Sequence, residues 1–347
     1  MSILGIRFPA LLLGASLMAP RTVHAQWTAQ ASGTTAEFRG LSVVSPTVAW
    51  VSGMRGLVAH TLDGGGHWIL DTVATASKLD LRSIAATSAR VAHAMSIGDS
   101  SRIFRTTDGG RSWTQQFISL KKGSFFDAIR FWDEKHGIAV SDPVDGKFLL
   151  VTTSDGGDTW QEISSAAIPH ALPAEGAFAA SGSALAVWGK SDVWFVTGGA
   201  AVARIYHSPD RGRSWMVHDT PLRVGAASTG VFSVAFRDAK HGAIAGGDYA
   251  KPRLAGRNLA LTSDGGRTWT LVDSATSPAG FRSAVAFVPG TAGKRLIATG
   301  LSGTDLSADG GKTWTPMDTV AYNSVVMSGN VAYATGPRGR VARWVAR

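Results

Sequence analysis

An eight-residue phrase, [ST]-x-D-x-G-x-x-W, occurs six times along the chain. The copies run Thr61 to Trp68, Thr106 to Trp113, Thr153 to Trp160, Ser208 to Trp215, Thr262 to Trp269 and Ser307 to Trp314. Their aspartates, Asp63, Asp108, Asp155, Asp210, Asp264 and Asp309, are spaced by 45, 47, 55, 54 and 45 residues. A hairpin-like phrase recurring near every 50 residues specifies a repeat architecture before any chemistry is considered.

The residues within the phrase explain its shape. Ser/Thr and Asp oxygens accept backbone N–H bonds and hold a tight turn. The second glycine of the phrase takes a backbone position denied to larger residues. The tryptophans Trp68, Trp113, Trp160, Trp215, Trp269 and Trp314 fold back over the hairpin and supply buried area. The six aspartates therefore read as structural. A loop this short offers too few oxygens for calcium.

Around each motif lie short apolar strands. In the fifth unit Val231 to Phe236 is a strand, residues 237–242 turn, and Ala243 to Ala245 is a second strand. Asn258 to Leu261 then leads into the motif, and Thr270 to Val272 continues out of it. The third unit repeats the order with Ala128 to Phe131, a turn, and Ile138 to Val140. With 41 glycines and short Val/Ala/Phe runs between Gly/Asp/Ser turns, the chain is all-β.

Residues 320–347 form a seventh unit that lacks both the motif and a fourth strand. Tyr322 to Met327, Val331 to Ala334 and Arg340 to Val345 are its three strands. Gln26-Trp27-Thr28-Ala29-Gln30 matches the Ser112-Trp113-Thr114-Gln115-Gln116 phrase that closes the second motif. The N-terminal strand is expected to complete the outer edge of the last blade and close a seven-bladed β-propeller. Six blades would orphan residues 320–347, and the spacing leaves no room for eight.

The ends and composition bound the setting. Arg7, the apolar run Phe8 to Met18 and the small residues Val23 and Ala25 read as an export signal cleaved before Gln26. That leaves residues 26–347 as one propeller domain, expected in the periplasm or secreted, with no membrane span and a monomer. Cysteine is absent, so an oxidising compartment does the chain no harm. Without Arg7 and Arg21 there are 32 basic and 25 acidic residues, a diffuse net +7 that favours anionic partners. No Lys/Arg run or known binding module points to nucleic acid.

The phrase F-x-D-x-x-H-G followed by T-x-D-G-G-x-T-W resembles the photosystem II stability/assembly factor family of Asp-box propellers. Within it the chain is most similar to a secreted, non-photosynthetic bacterial branch often labelled "oxidoreductase". Phe131 to Phe148, Gly176 to Gly182 and Ala245 to Pro252 carry that likeness. The resemblance covers the whole mature chain and implies a propeller outside the cytoplasm. It further implies a chaperone-like role that binds a protein partner during assembly, with no established enzyme activity. Asp-box motifs also occur in sialidases, xyloglucan-degrading enzymes and sortilin-like receptors, so the motif by itself decides fold and not function.

The face opposite the Asp-boxes gathers the unusual residues. Asp99 comes from blade 2, Asp142 and Asp145 from blade 3, and Asp248, Tyr249 and Lys251 from blade 5. Arg55 and Arg338 come from blades 1 and 7, and His170 and Glu175 from the connection into blade 4. Loops on a rigid ring are natural binding sites, and Asp also caps turns. A glycosidase would need two carboxyls across a cleft, with Asp142, Asp248 and Glu175 as the candidates.

A sialidase would need an arginine cluster and a Tyr–Glu pair, and only Tyr249 of four tyrosines lies in an open loop. The histidines show no metal-ligand spacing, and no cofactor motif is present. Trp27 and Trp344 read as blade-edge packing, and Trp50, Trp132, Trp188 and Trp194 as core. The expectation is a secreted, non-catalytic scaffold that binds a protein or peptide, as an assembly or stability factor for envelope or membrane proteins does. The alternative is a glycan-active hydrolase or lectin.

Overall fold

The computed structural model describes Met1, residues 26–98 and residues 100–346. The proposed export signal, apart from Met1, and Asp99 lie outside the described residues. Seven four-stranded antiparallel sheets form the blades. Blade 1 comprises Phe38–Ser45, Val48–Gly53, Leu57–Thr61 and Ile69–Thr72, and blade 2 comprises Leu81–Ala86, Ala92–Ser96, Arg102–Thr106 and Thr114–Ile118. Blade 3 comprises Phe126–Phe131, Gly137–Val144, Lys147–Thr153 and Gln161–Glu162. Blade 4 comprises Leu185–Trp188, Asp192–Val196, Ala203–Ser208 and Met216–Thr220. Blade 5 comprises Thr229–Phe236, Gly242–Asp248, Leu259–Thr262 and Thr270–Leu271, and blade 6 comprises Ala284–Phe287, Leu296–Gly300, Gly303–Ser307 and Thr315–Asp318.

Blade 7 has Ser324–Ser328, Val331–Thr335 and Val341–Val345, and its fourth strand is Thr28–Gln30. The pairing is antiparallel, with Thr28 opposite Arg343 and Gln30 opposite Val341. The ring therefore closes as expected, by the N-terminal strand at the outer edge of the last sheet. Trp27 anchors it: its indole N–H donates to Thr304 Oγ1 of blade 6 at 3.1 Å, and its ring packs on Tyr322 and Trp344.

The core is seven separate seams, one between each pair of neighbouring blades. Phe148, Leu150, Val193 and Phe195 fill the seam between blades 3 and 4. Phe38, Leu41, Val331 and Tyr333 fill the seam between blades 7 and 1, so the closure is packed like the others. Each Asp-box tryptophan enters the seam with the preceding blade: Trp113 joins the blade 1–2 cluster and Trp314 the blade 5–6 cluster. This burial of two sheet faces against their neighbours is what makes each blade depend on the ring.

The Asp-boxes share one hydrogen-bond pattern. In blade 5, Thr262 Oγ1 donates to Asp264 Oδ1 at 2.8 Å and accepts the Gly266 N–H at 3.1 Å. Asp264 Oδ1 also accepts the Arg267 and Thr268 amides at 3.0 Å, and Oδ2 accepts the Thr268 hydroxyl at 2.6 Å. The donors hold the exposed carboxyls down: burial opposes the shift at Asp264, which the bonds from Thr268 and Thr262 still bring to about 2. Gly266 has φ +92, and a Cβ on its counterpart Gly157 would meet His93 Nε2 of the preceding blade at 2.3 Å. The second glycine is required by both backbone and neighbour.

Two tryptophans depart from the expected core. Trp50 and Trp194 are fully buried, but Trp188 is 39 % exposed and Trp132 is partly exposed. Trp188 ends the innermost strand of its blade and lines a hollow of about 530 Å³ instead of filling a seam. Trp132 bridges to blade 4 instead, its N–H donating to Asp192 O at 2.8 Å under the Arg211 guanidinium.

Candidate functional site

The central channel is blocked by the chain itself. The connection into blade 4 leaves the outer edge of blade 3 and crosses the channel before Leu185–Trp188 begins. Ser181 Oγ donates to Ser283 O of blade 6 at 2.8 Å, and Ser324 Oγ of blade 7 donates to Ser181 O at 2.7 Å. Ser183 Oγ donates to Ser233 Oγ of blade 5 at 2.9 Å, and Arg39 Nη1 of blade 1 donates to Ala180 O at 3.4 Å. Gly182 has φ +67, and a Cβ there would lie 2.9 Å from Ser83 Oγ of blade 2. Residues 177–183 thus form a plug tied to blades on every side.

Asp142 holds the start of this plug. Its Oδ1 accepts the Ala177 N–H at 2.8 Å, and a Cβ on Gly176 would sit 2.8 Å from the same oxygen. Burial raises the Asp142 carboxyl to about 6, with the Ala177 bond offsetting part of the rise.

On the face away from the Asp-boxes the plug floors a well of about 340 Å³. Phe178 of the plug stacks on Phe232 at 3.8 Å, and Phe232 meets Phe281 and Tyr249 edge-on. Tyr249 is 47 % exposed and Leu301 is exposed beside it. The other wall holds two guanidiniums. Arg39 pairs with Glu37 at 2.9 Å and Arg82 with Asp80 at 2.7 Å, and both retain side-chain exposure. Glu37 also accepts the Asn323 amide at 2.9 Å.

Asp127 lies between these walls and is fully buried, with no hydrogen bond to either carboxyl oxygen. Burial, then the neighbouring Asp142, raise its carboxyl well above the usual range, against the pull of the Arg82 guanidinium. The well therefore presents an aromatic side, two part-exposed guanidiniums, and a buried carboxyl shifted upward. Apolar side chains fit the first, carboxylates and carbonyls the second.

Of the described candidate site residues, Tyr249 alone lines this well. Arg55, Asp145 and Arg338 are exposed in tight turns on the same face, each at positive φ before a glycine at positive φ. That pairing is the turn geometry joining second and third strands. Lys251 is exposed beyond Tyr249, while Asp248 is 5 % exposed and caps its own turn by accepting the Ala250 N–H at 3.0 Å.

Glu175 is not open to a partner. It is buried, with Oε1 accepting from Arg204 Nε at 3.0 Å and Thr197 Oγ1 at 2.6 Å, and Oε2 accepting the Leu172 N–H at 2.7 Å. Arg204 Nη2 also donates to His170 O, so the exposed His170 contributes its backbone. The three acids considered for glycoside cleavage are thus a plug tether, a turn cap and half of a buried ion pair. Arg39, Arg82 and Asp127 were missed, although each follows the first core residue of its innermost strand: Phe38-Arg39, Leu81-Arg82, Phe126-Asp127.

A family model described as "Photosynthesis system II assembly factor YCF48" matches residues 19–122. Among solved structures, "YCF48 bound to D1 peptide" is similar at 18 % identity and a TM-score of 0.68, covering 94 % of this chain and 99 % of that one. YCF48 from Cyanidioschyzon merolae is similar at 18 % identity and 0.64, covering 92 % and 99 %. The GH74 xyloglucanase from Xanthomonas campestris matches at 17 % identity and 0.62, covering 92 % of this chain and 53 % of that one. No curated protein matches. The expected kinship to a non-photosynthetic branch labelled "oxidoreductase" is corrected by these matches, because the family model and two of the solved propellers are those of the photosynthetic assembly factor YCF48. At these identities the likeness establishes the shared seven-bladed fold.

Proposed function

We propose that this propeller is a non-catalytic binding scaffold that takes a peptide segment of a protein partner in the plugged well, as an assembly or stability factor does. The carrying observation is the juxtaposition of an aromatic wall (Phe178, Phe232, Phe281, Tyr249) with the part-exposed guanidiniums of Arg39 and Arg82 in one well. A peptide with an apolar side chain and an adjacent carboxylate or carbonyl satisfies both walls. The plug supports this reading, because its bonds to blades 1, 5, 6 and 7 make the floor rigid, and a preorganised surface loses less entropy on binding.

The YCF48 propeller solved with a D1 peptide supports the same reading, as a propeller of this fold that holds a peptide. The reading includes export, with residues 1–25 as the signal. The glycan-active alternative draws on the fold shared with the xyloglucanase and on no feature of the well.

Hydrogen exchange tests this with the mature protein and the D1 peptide as the first probe. Slowed exchange in residues 177–183 and around Tyr249 is the expected result. Slowing confined to the Asp-box turns, or none at saturating peptide, would overturn the placement.

A further inference from the structure

The plug leaves a second opening on the Asp-box face, and its chemistry is unlike that of the well. Two connected hollows of about 530 and 370 Å³ share Arg130 and Val326 in their walls. Their walls come from the innermost strands of all seven blades. Val43, Ala86, Val187, Phe236, Phe287 and Met327 represent six of them, each partly exposed, and Trp188 stands at the rim. Blade 3 contributes Phe131 at this depth and, one position earlier in the strand, Arg130, where blades 2, 5 and 6 carry Ala85, Ala235 and Ala286.

Among the described residues Arg130 has no carboxylate partner. Its Nη1 donates to its own neighbour's carbonyl, Ile129 O, at 2.9 Å, and no ion pair is formed. A Cβ on Gly182 would lie 3.7 Å from Arg130 Nη1, which places the guanidinium beneath the plug, at the floor of the funnel. Burial lowers it to about 10, with no neighbouring charge acting on it, so it stays protonated at neutral pH. A part-buried cation without a counter-ion is unfavourable, and arginine does not relieve the cost by losing its proton.

Polar side chains, Ser42, Thr87, Asp133 and Glu134, gather in the smaller hollow, whereas the larger is lined mostly by apolar side chains and is the one that suits a hydrocarbon. Several inward-facing amides of the innermost strands are already capped by serines of the preceding blade. Ala86 N–H donates to Ser42 Oγ at 2.9 Å, Ile129 N–H to Ser83 Oγ at 3.2 Å, and Val285 N–H to Ser233 Oγ at 3.0 Å. A peptide drawn into this funnel would bury amides without partners, which is unfavourable, whereas a hydrocarbon chain would not.

We propose that the funnel binds the monocarboxylate of a hydrocarbon chain, a fatty acid, with its carboxylate on Arg130 beneath the plug and its tail along the apolar wall. This site is independent of the peptide reading and lies on the opposite face. The fork of the guanidinium matches a carboxylate, the chain covers exposed Val, Phe and Met side chains, and the net positive charge favours an anion.

Isothermal titration with laurate below its micelle concentration, against dodecanol, tests the assignment. One laurate is expected to bind per chain, at least tenfold tighter than dodecanol. Arg130→Met should remove that preference with an unchanged melting curve, and Arg130→Lys should keep part of it. Shortening the chain should weaken binding roughly fourfold per methylene within the funnel. Equal binding of laurate and dodecanol, or an unaltered preference in Arg130→Met, would overturn the site. An apolar peptide with a free C-terminus that binds tighter than laurate at the same place would overturn the choice of a fatty acid. If Arg130→Met fails to fold, Ala235→Trp, which fills the funnel and leaves Arg130, must abolish laurate binding, and undiminished binding would refute the proposal.

Discussion

Gln30 accepts the indole N–H of Trp68 at 3.1 Å, joining the outer strand of blade 7 to the Asp-box of blade 1. In blades 2, 4, 5 and 6 the box tryptophan donates instead to the carbonyl of the glycine three residues before it, at 2.8–3.1 Å. Gln30 also donates to Gly64 O at 2.9 Å, and it occupies the space a Cβ on Gly65 would need. The ring is therefore latched at its closure by a side chain from the N-terminal strand.

Gln30→Ala should lower stability by about 1–2 kcal/mol, through two lost hydrogen bonds in a half-buried setting. Trp27→Ala should cost about 3–5 kcal/mol, since it empties part of the blade 6–7 seam. Urea midpoints of the two variants check both the values and their order.

Asp264→Ala should destabilise by about 1–2 kcal/mol, because it leaves the Arg267 and Thr268 amides and the Thr268 hydroxyl without their acceptor. The carboxyl is lowered in the folded protein, so its contribution is complete above pH ~4 and is lost as pH falls towards about 2. Denaturant midpoints of wild type and variant should converge over that window.

Asp142 carries the opposite sign. Its carboxyl rises from 3.8 to about 6 on folding, so its charge is unfavourable to the fold and the penalty grows as pH rises through that range. Asp142→Asn keeps an oxygen for the Ala177 amide and should be more stable than wild type by about 1–3 kcal/mol at pH 7, with no gain below pH ~4. Asp142→Ala should lose the tether and gain less. Stability measured from pH 4 to 8 distinguishes these outcomes.

Glu175→Ala should cost about 3–5 kcal/mol, since it strands the buried Arg204 guanidinium. A binding role for Glu175 would instead leave the melting temperature near wild type.

The ring was legible because each Asp-box is local: Ser/Thr, Asp, Gly and Trp meet within eight residues and need no distant partner to be read. Closure was legible for the same reason, since Gln26–Gln30 repeats the phrase that follows a box. The plug was not, because its bonds join residues such as Ser181 and Ser283, 102 positions apart, through hydroxyls and carbonyls that any loop carries. Glu175 resembled an exposed loop acid until Arg204, 29 residues on, was placed beside it. Trp188 resembled core because an apolar strand in a propeller has two fates, facing a seam or facing the channel. The well escaped notice since it is built from alternate residues of several innermost strands, where Arg39, Arg82 and Asp127 stand one after each core position.

The plugged well is the proposed place where a peptide binds. The most direct test of that placement is the affinity of a labelled D1 peptide for the mature protein and for Tyr249→Ala, Arg82→Gln and Trp188→Ala, each checked for an unchanged melting curve. Binding at least tenfold weaker is expected for the two well variants, and wild-type affinity for Trp188→Ala on the opposite face. Binding unaffected by Tyr249→Ala and Arg82→Gln, or lost only in Trp188→Ala, would contradict it.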